Sequence, residues 1–376
     1  MNTRLQVEHP VTECTAGLDL VALQFDVAQG GHLAAEPPAT QGHSIEVRLY
    51  AEDPRLDWQP QSGTLHRIAV PDVDTAFEIG TRPAGLRLDS GVQDGSAVGI
   101  HYDPMLAKVI SWAPTRDQAA RALAGALARS EIHGLITNRD LLVNVLRHKA
   151  FLAGEIDTAF FDRHGLGVLA QPLADENAVE LSALAAALAI DAANRAHATA
   201  LPGIASGWRN VVSQPQRLEL QSTTGTHQVA YRITRDGLRA DGHEGVLLIS
   251  HTPSEVVLTV AGVRRAFAIA RYGNEIYVDS PLGPAAFTAV ERFADPSEQV
   301  AAGSLLAPMP GSVVRIAVTA GDTVRAGQPI LWLEAMKMQH QINAPADGVL
   351  AELPVREGQQ VEVGTVLAVV ETGDAP

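Results

Sequence analysis

The chain of 376 residues has a formal net charge of −15 and a pI of about 5.3, and 46% of its residues are hydrophobic. This length corresponds to two or three domains, and the apolar fraction is sufficient for several separate cores. The acidic balance argues against nucleic acid or an anionic membrane as the main partner. A single cysteine, Cys14, excludes an intrachain disulfide framework and favours a reducing compartment.

The apolar segments are too short to span a membrane. A helix needs about 20 consecutive apolar residues to cross a bilayer, and the best candidate, residues 181–190, is alanine-rich and is followed by Asp191. The first six residues include Asn2, Thr3, Arg4 and Gln6, where a secretory signal requires an apolar core. The sequence therefore predicts a cytoplasmic protein.

Residues 1–166 mix helical and strand patterns. Residues 116–129 are rich in alanine and leucine and, like residues 138–146, show apolar positions at helical spacing. Residues 44–50 and 108–112 have the composition of strands. We therefore expect an α+β region.

Residues 167–302 begin with a helical pattern and continue with short strands. Leucines recur at helical spacing at Leu181, Leu184 and Leu188. Alternating runs separated by turn residues follow, at 216–220, 228–233, 256–260, 266–269, 275–278 and 286–290. This pattern predicts a helix with an antiparallel barrel or sandwich. The region shows no catalytic constellation, which is typical of an interaction domain.

Residues 303–376 contain an internal repeat with a period of 37 and no gaps. The identical pairs are Ala307/Ala344, Pro308/Pro345, Gly311/Gly348, Val318/Val355, Gly321/Gly358, Val324/Val361, Gly327/Gly364 and Glu334/Glu371. Two copies of one strand-and-turn unit, neither able to close a core alone, would pack as a flattened barrel with pseudo-twofold symmetry. We expect the repeated glycines at turns, where positive φ favours glycine.

The two copies are joined by a short segment centred on Lys337. Flanking runs at 330–333 and 341–342 predict paired strands, which would place Met336 and Lys337 at an exposed turn. A lysine there would project a four-carbon stem from a rigid base, which suits a tethered cofactor. An ordinary solvated lysine is the alternative. Exposed methionines on both sides, Met336 and Met338, cost solubility unless a partner recognises them, and this favours a modification site.

The sequence Glu-Ala-Met-Lys-Met at 334–338 resembles the acceptor motif of biotin carboxyl carrier domains, and the surrounding repeat is similar to the biotinyl/lipoyl hammerhead. The resemblance implies that a biotin protein ligase attaches biotin covalently to Lys337. Lipoyl domains share this fold but usually flank the lysine with an acidic residue and alanine. Met336 and Met338 therefore favour biotin over lipoate.

The first thirteen residues place an arginine and a glutamate at alternating positions. In an extended segment, Arg4, Gln6 and Glu8 would lie on one face. A guanidinium fixed beside a carboxylate can hold a planar oxyanion such as bicarbonate and remove its proton. A surface ion pair is the alternative for an isolated pair of this kind.

This segment resembles the closing active-site strand of biotin carboxylase. The implied bicarbonate-binding residues are Arg4, Gln6 and Val7. The resemblance also implies that Glu8 is the general base, that Asn2 belongs to a magnesium site, and that Arg48 stabilises the biotin enolate. Residues 102–105 and 134–138 extend the resemblance.

Members of this family carry an ATP-grasp region ahead of the strand, with a nucleotide-binding lysine, a glycine-rich lid and most of the magnesium-binding carboxylates. None of these precedes Met1, and the chain has no P-loop motif. We therefore expect that this polypeptide alone does not carboxylate biotin. We also expect residues 1–166 to be marginally stable, because apolar surface would be left uncovered.

Residues 167–302 resemble the mediating domain of acyl-CoA carboxylase α subunits in position and pattern. That domain is a β-barrel wrapped on a long helix, and it docks the carboxyltransferase β subunit. Residues 201–210 are similar to the segment that leads into the barrel. A structural insert without a partner is the alternative.

These resemblances imply three domains: a partial biotin carboxylase C-terminal domain at 1–166, a helix-plus-barrel docking (BT-like) domain at 167–302, and a biotinyl carrier domain at 303–376. The implied function is that of an acyl-CoA carboxylase α subunit. Lys337 would carry carboxybiotin from a site that uses ATP, Mg²⁺ and bicarbonate to a carboxyltransferase that holds the acyl-CoA. A non-catalytic biotin carrier and scaffold, or a lipoyl carrier of a 2-oxoacid dehydrogenase complex, are the alternatives.

Overall fold

The structure is a computed structural model in which three units follow one another along the chain. It describes residues 2–371 except 81, 100, 201–203, 205, 212–213, 293–303 and 336–337. Within this part of the chain, no helix combines the length and apolar character needed to cross a bilayer.

The first unit combines antiparallel strands with seven helices and a short 3-10 turn, Pro54–Leu56, among its described residues. The helices are α1 His9–Ala16, α2 Leu20–Ala28, α3 Arg116–Ala128, α4 Arg139–Arg147, α5 Lys149–Ala153, α6 Phe160–His164 and α7 Leu166–Leu169. The strands are β1 His43–Tyr50, β2 Glu52–Asp53, β3 Gln59–Pro60, β4 Gly63–Leu65, β5 Arg67–Ala69, β6 Gly85–Ser90, β7 Ser96–Val98, β8 Met105–Ala113 and β9 Glu131–His133. The α+β prediction is confirmed, and both predicted helices and both predicted strands are present.

The main sheet of this unit has the strand order β1-β8-β6 and is antiparallel throughout. Successive side chains of a strand point to opposite faces, so each face of the sheet has its own chemistry. Val47 and Val109 lie on the face that packs against Leu123 of α3, and all three side chains are buried. The opposite face carries charged residues and is covered by α1. The sheet thus separates an apolar core from a polar surface beneath α1.

The second unit is a helix enclosed by one curved sheet. The helix is α8 Glu176–Ala196, and the strands are β10 Gln216–Ser222, β11 Gly225–Thr234, β12 Gly237–Ala240, β13 Leu247–His251, β14 Glu255–Val260, β15 Val263–Tyr272, β16 Glu275–Asp279 and β17 Ala285–Ala289. The order β12-β11-β10-β17-β16-β15-β14-β13 brings the two edge strands into contact, which nearly closes a barrel. Residues 183–189 are buried all round the helix, and their small alanines let the strands approach closely.

The third unit consists of two four-stranded sheets. Its strands are β18 Ser304–Leu306, β19 Gly311–Ile316, β20 Thr323–Val324, β21 Pro329–Ala335, β22 Met338–Asn343, β23 Gly348–Glu352, β24 Gln360–Val361 and β25 Val366–Glu371. The orders β18-β25-β23-β20 and β22-β21-β19-β24 are related by exchange of the two repeats. Strand β20 of the first copy pairs with β23 of the second, and β24 of the second pairs with β19 of the first. Each copy completes the sheet of the other, which gives the unit the pseudo-twofold symmetry that the repeat predicts.

The repeated glycines have two different roles. Four of them adopt positive φ at turns, between +80° and +97°: Gly321, Gly327, Gly358 and Gly364. The turn prediction is wrong for Gly311 and Gly348, which begin strands. A Cβ at these positions would lie 2.8 Å from the oxygen of Glu334 and 2.4 Å from that of Glu371. Glycine is required there because another backbone approaches closely.

Two histidines of the first unit, His66 and His133, each contact an acidic residue of the barrel. His133 Nε2 lies 2.8 Å from Asp279 Oδ2, and its ring stacks on Tyr277 with centroids 4.6 Å apart. His66 Nε2 lies 3.3 Å from a carboxylate oxygen of Glu275. The barrel is therefore attached through polar contacts supported by aromatic stacking.

We expect Gly134→Ala to destabilise the first unit by more than about 2 kcal/mol. Gly134 has a φ of +108°, and a Cβ there would lie 2.0 Å from the backbone oxygen of Thr64. Urea unfolding measures the effect. Gly99→Ala is the matched control, because a Cβ at Gly99 meets no atom within 4 Å. Equal unfolding midpoints for the two variants would contradict the assignment.

Candidate functional site

Residues 2–8, which carry the predicted oxyanion-binding residues, do not form a strand. The backbone turns just before His9, where α1 begins, and His9 Nδ1 lies 2.8 Å from Gln6 O. The side chains of Gln6 and Arg4 bond to the backbone oxygens of Arg4 and Leu5, at 2.9 and 3.3 Å. The predicted alternation of Arg4, Gln6 and Glu8 on one face of an extended segment is wrong. No strand in the described part of the chain pairs with this segment, and side chains, its own and that of Lys108, bond to its backbone oxygens instead.

The structure brings Glu8 and Arg48 together. Arg48 Nη2 lies 3.0 Å from Glu8 Oε2, although the sequence pattern had placed Arg4 beside Glu8. The two side chains are 41% and 58% exposed, respectively. An ion pair this exposed contributes less than about 1 kcal/mol, so a bound anion could readily open it. This pair is the centre of the candidate site.

The remaining predicted site residues stay predictions. Asn2 is exposed, and no three His, Cys, Asp or Glu side chains of the described chain are grouped to hold a metal ion. Met336 and Lys337 lie outside the described residues, as does the side chain of Met338. Their neighbour Ala335 pairs with Met338 in the antiparallel register of β21 and β22.

A buried ionic network beneath α1 was not predicted from the sequence. Arg87 is 3% exposed, and it donates to Asp89 Oδ1 at 2.7 Å and to Glu13 Oε2 at 2.8 Å. Lys108 Nζ lies 3.3 Å from Asp89 Oδ2 and donates to Val7 O at 3.2 Å. These contacts fix α1 and the segment that carries Glu8 onto the sheet. Charged residues two apart in β6, at Arg87 and Asp89, were the sequence signal for it.

Burial and charge act in opposite directions on this network. Burial acts to raise the pKa of Asp89, but hydrogen bonds from Arg87 and the charges of Arg87 and Lys108 outweigh it and lower that pKa below its usual range. Burial raises the pKa of the Cys14 thiol to about 11. Cys14 is therefore a neutral thiol at neutral pH.

An apolar groove of about 900 Å³ adjoins the ion pair. Its apolar lining includes Leu5, Leu20, Leu23, Val27 and Leu33. Helix α2 has no buried residue, and its Phe25 is 65% exposed. The described part of the chain therefore leaves this apolar face uncovered.

We expect Arg87→Met to lower the stability of the first unit by about 3–5 kcal/mol at pH 8, because Glu13 and Asp89 are both buried and both lose the guanidinium that binds them. In the unaltered chain, the lowered pKa of Asp89 contributes stability that is present above its unfolded pKa and is lost as the pH falls through the folded value. In the variant Asp89 keeps only Lys108 as a cationic partner, so its burial favours the protonated form and the loss at pH 8 exceeds the loss at pH 5.

Urea midpoints at pH 5 and pH 8 measure this difference. Arg82→Met is the control, because Arg82 pairs with Asp74 while 75% exposed, and we expect it to change both midpoints little. A loss of equal size at both pH values for Arg87→Met would contradict the role of the network.

Four families match successive parts of the chain. Residues 1–36 match the carbamoyl-phosphate synthase L chain ATP binding domain, and residues 46–163 match the biotin carboxylase C-terminal domain. Residues 178–292 match the BT domain of the methylcrotonyl-CoA carboxylase alpha subunit, and residues 303–370 match the family described as biotin-requiring enzyme. The three larger matches correspond to the three units of the fold.

Curated relatives match almost the whole chain. The mitochondrial methylcrotonoyl-CoA carboxylase subunit alpha of Mus musculus is 33% identical over 96% of this chain and 52% of its own length. The propionyl-CoA carboxylase alpha chain of Ruegeria pomeroyi is 31% identical over 98% of this chain and 57% of its own length. A solved biotin carboxylase domain of a thermophilic 2-oxoglutarate carboxylase bound to bicarbonate is 35% identical, with a TM-score of 0.41 over 45% of this chain and 36% of that one.

The chain spans about half the length of the curated relatives it matches. Its three matched domains occur in the order biotin carboxylase C-terminal, BT and biotin-lipoyl. In its domains and their order, the chain is similar to biotin-dependent acyl-CoA carboxylase alpha subunits over about half of their length.

Proposed function

We propose that this chain carries a carboxyl group on biotin, attached at Lys337, from a biotin carboxylase site to a carboxyltransferase subunit that acts on an acyl-CoA. The carboxylase site would use ATP and bicarbonate, and its general base would be Glu8. The observation that carries the proposal is the strand-exchanged third unit, in which the described residues of the acceptor motif belong to the paired ends of β21 and β22.

The third unit is suited to carry a tethered group. Its core is formed by residues of the third unit itself, such as Val313, Leu331, Leu350 and Leu367, all of which are fully buried. A covalent tether raises the local concentration of the attached group at each site without a new binding step. Biotin bound there would supply the nitrogen that accepts the carboxyl group.

The Glu8–Arg48 pair has the chemistry that bicarbonate requires. Arg48 supplies a charged donor for a planar oxyanion, and Glu8 supplies an acceptor for its proton. With biotin and bicarbonate bound, Glu8 would accept the proton of bicarbonate, and Arg48 would donate to the ureido oxygen of biotin and stabilise negative charge on it. Arg4, Gln6 and Val7 are proposed to bind bicarbonate. For Mg²⁺ we derive no step, because the described residues show no grouped acidic ligands.

The barrel of the second unit is the proposed docking surface for the carboxyltransferase subunit. It matches a BT domain, and it presents exposed apolar side chains at Leu247, Ile249 and Val263. Isolated exposed apolar residues are ordinary, whereas Leu247 and Ile249 lie together on the edge strand β13. A non-catalytic carrier and scaffold is the alternative function.

We expect that coexpression with a biotin protein ligase, with biotin supplied, adds one biotinyl group to the chain and that Lys337→Arg abolishes the addition. The chain has three lysines, Lys108, Lys149 and Lys337, so the assignment is simple to check by intact mass. Lys149→Arg is the matched control and should be biotinylated fully. An unmodified chain, or lipoate in place of biotin, would overturn the carrier assignment.

We further expect that the purified chain alone does not carboxylate biotin when ATP, Mg²⁺ and bicarbonate are supplied. The described residues of the chain hold the Glu8–Arg48 pair but show no grouped ligands for a metal–nucleotide complex. Incorporation of labelled bicarbonate into biotin measures the activity. Incorporation that requires ATP would contradict this expectation and would favour a complete carboxylase site within the chain.

A further inference from the structure

The polar face of the β1-β8-β6 sheet contains a carboxylate without a partner. Glu46 lies two residues before Arg48 in β1, on the same face of the strand. Both of its carboxylate oxygens are buried, and neither accepts a hydrogen bond within the described part of the chain. An ionised carboxylate in such a position is costly, so a buried carboxylate is normally either paired or protonated.

The cations around Glu46 are already bound to other acids. Arg48 binds Glu8, Arg87 binds Asp89 and Glu13, and Lys108 lies beside Asp89. The three cations of this face are Arg48, Arg87 and Lys108, and the three other acids are Glu8, Glu13 and Asp89. Three positive charges thus balance three negative charges when Glu46 is neutral.

The electrostatic surroundings agree with this balance. Burial raises the pKa of Glu46 to about 7; Lys108 and Arg48 oppose the rise, while Asp89 and Glu8 add to it. Two further titratable groups of α1 contact this network. His9 Nε2 lies 3.9 Å from Glu13 Oε2, and Cys14 is held as a thiol by burial.

We propose that Glu46 is a positioning residue of the candidate site, which leaves Arg48 to Glu8 while it is protonated and draws Arg48 away after it has lost its proton. The two acids are alternative partners for one guanidinium, since Glu46 lies on the same face of β1 and Glu8 precedes α1. Charge-assisted bonds are the stronger ones, so an ionised Glu46 competes with Glu8 where a neutral Glu46 does not. Release of Glu8 would then leave that base free to accept a proton.

Lys108 links the loss of the Glu46 proton to the backbone at Val7. It lies opposite Arg48 in the β1–β8 register, and its Nζ donates to Val7 O next to Glu8. An ionised Glu46 attracts this ammonium as well, which weakens its hold on residue 7. The Glu8–Arg48 ion pair and the backbone segment that carries Glu8 therefore both respond to the protonation of Glu46.

The value of this exchange for catalysis rests on the proposed function, but the exchange itself can be tested without biotin, ATP or a partner subunit. The direct measurement is the ¹⁵N-guanidinium resonance of Arg48 as a function of pH, assigned by its loss in Arg48→Met. We expect it to shift with a midpoint near pH 7 in the unaltered chain. In Glu46→Gln, which keeps the shape of the side chain, the shift should be absent.

Urea unfolding gives a second measurement. Because the pKa of Glu46 is raised in the folded state, its stabilising contribution is complete below the unfolded value and is lost as the pH rises through about 7. The ratio of the unfolding constants of the unaltered chain and Glu46→Gln should therefore rise about tenfold between pH 5.5 and 8.5, after allowance for solvent screening. Glu36→Gln, at an exposed position, is the matched control and should show no such change.

The outcomes separate the alternatives. A pH-dependent unfolding ratio with a fixed Arg48 resonance would mean that Glu46 is a buried structural acid, and it would overturn the positioning role. A resonance that titrates equally in Glu46→Gln would assign the proton to another group. Either result leaves biotinylation of Lys337 untouched, and a failure of biotinylation would leave the Arg48 titration intact.

Discussion

The strands of the β1-β8-β6 sheet alternate between an apolar face, which packs on α3, and a face of charged residues beneath α1. Charges can be removed from water there because they are paired with each other. Arg87 binds both Asp89 of its own strand and Glu13 of α1, so the helix is held by its acidic side chain. Since Glu8 directly precedes α1, the same contact sets its position against Arg48. A network outside the site thus determines the geometry within it.

The exposure of these ion pairs changes from one end of the network to the other. Arg87 is 3% exposed, and loss of a partner from such a pair costs about 3–5 kcal/mol. Arg48 is 41% exposed, and its pair with Glu8 contributes less than about 1 kcal/mol. The buried end acts as a fixed frame, while the exposed end can exchange partners with a bound anion. Glu46 lies between the two ends, where a single proton changes the charge balance of the face.

Local periodicity in the sequence was sufficient to predict most of the architecture. The helical spacing of Leu181, Leu184 and Leu188 predicted α8, and the period of 37 predicted the two symmetry-related halves of the third unit. Strand β13 was missed because Leu247, Leu248 and Ile249 are consecutive apolar residues, which show no alternation in the sequence. Features that depend on contacts distant in sequence were not accessible.

The candidate site illustrates this last point. The pairing of Lys108 with Asp89 follows from the register of β6 and β8, which no local pattern contains. Residues 2–8 were predicted as extended because alternation is the local signal for a strand, but a strand also needs a neighbour to bond to. The residue types at Glu8 and Arg48 were recognised by resemblance, while their direct contact became known only from the fold.

The third unit is stabilised by contacts among its own residues, which suits its proposed function as a carrier. Each repeat supplies an edge strand to the sheet of the other, so the short strands β20 and β24 each find their partner strand within the unit. Its hydrophobic core is likewise made of its own residues. The hydrogen bond from Gln59 Nε2 of the first unit to Pro308 O has a length of 3.5 Å, at the limit for such a bond. A unit whose stability does not depend on its neighbours can exchange one neighbour for another at little cost, and transfer between two reaction centres requires this property.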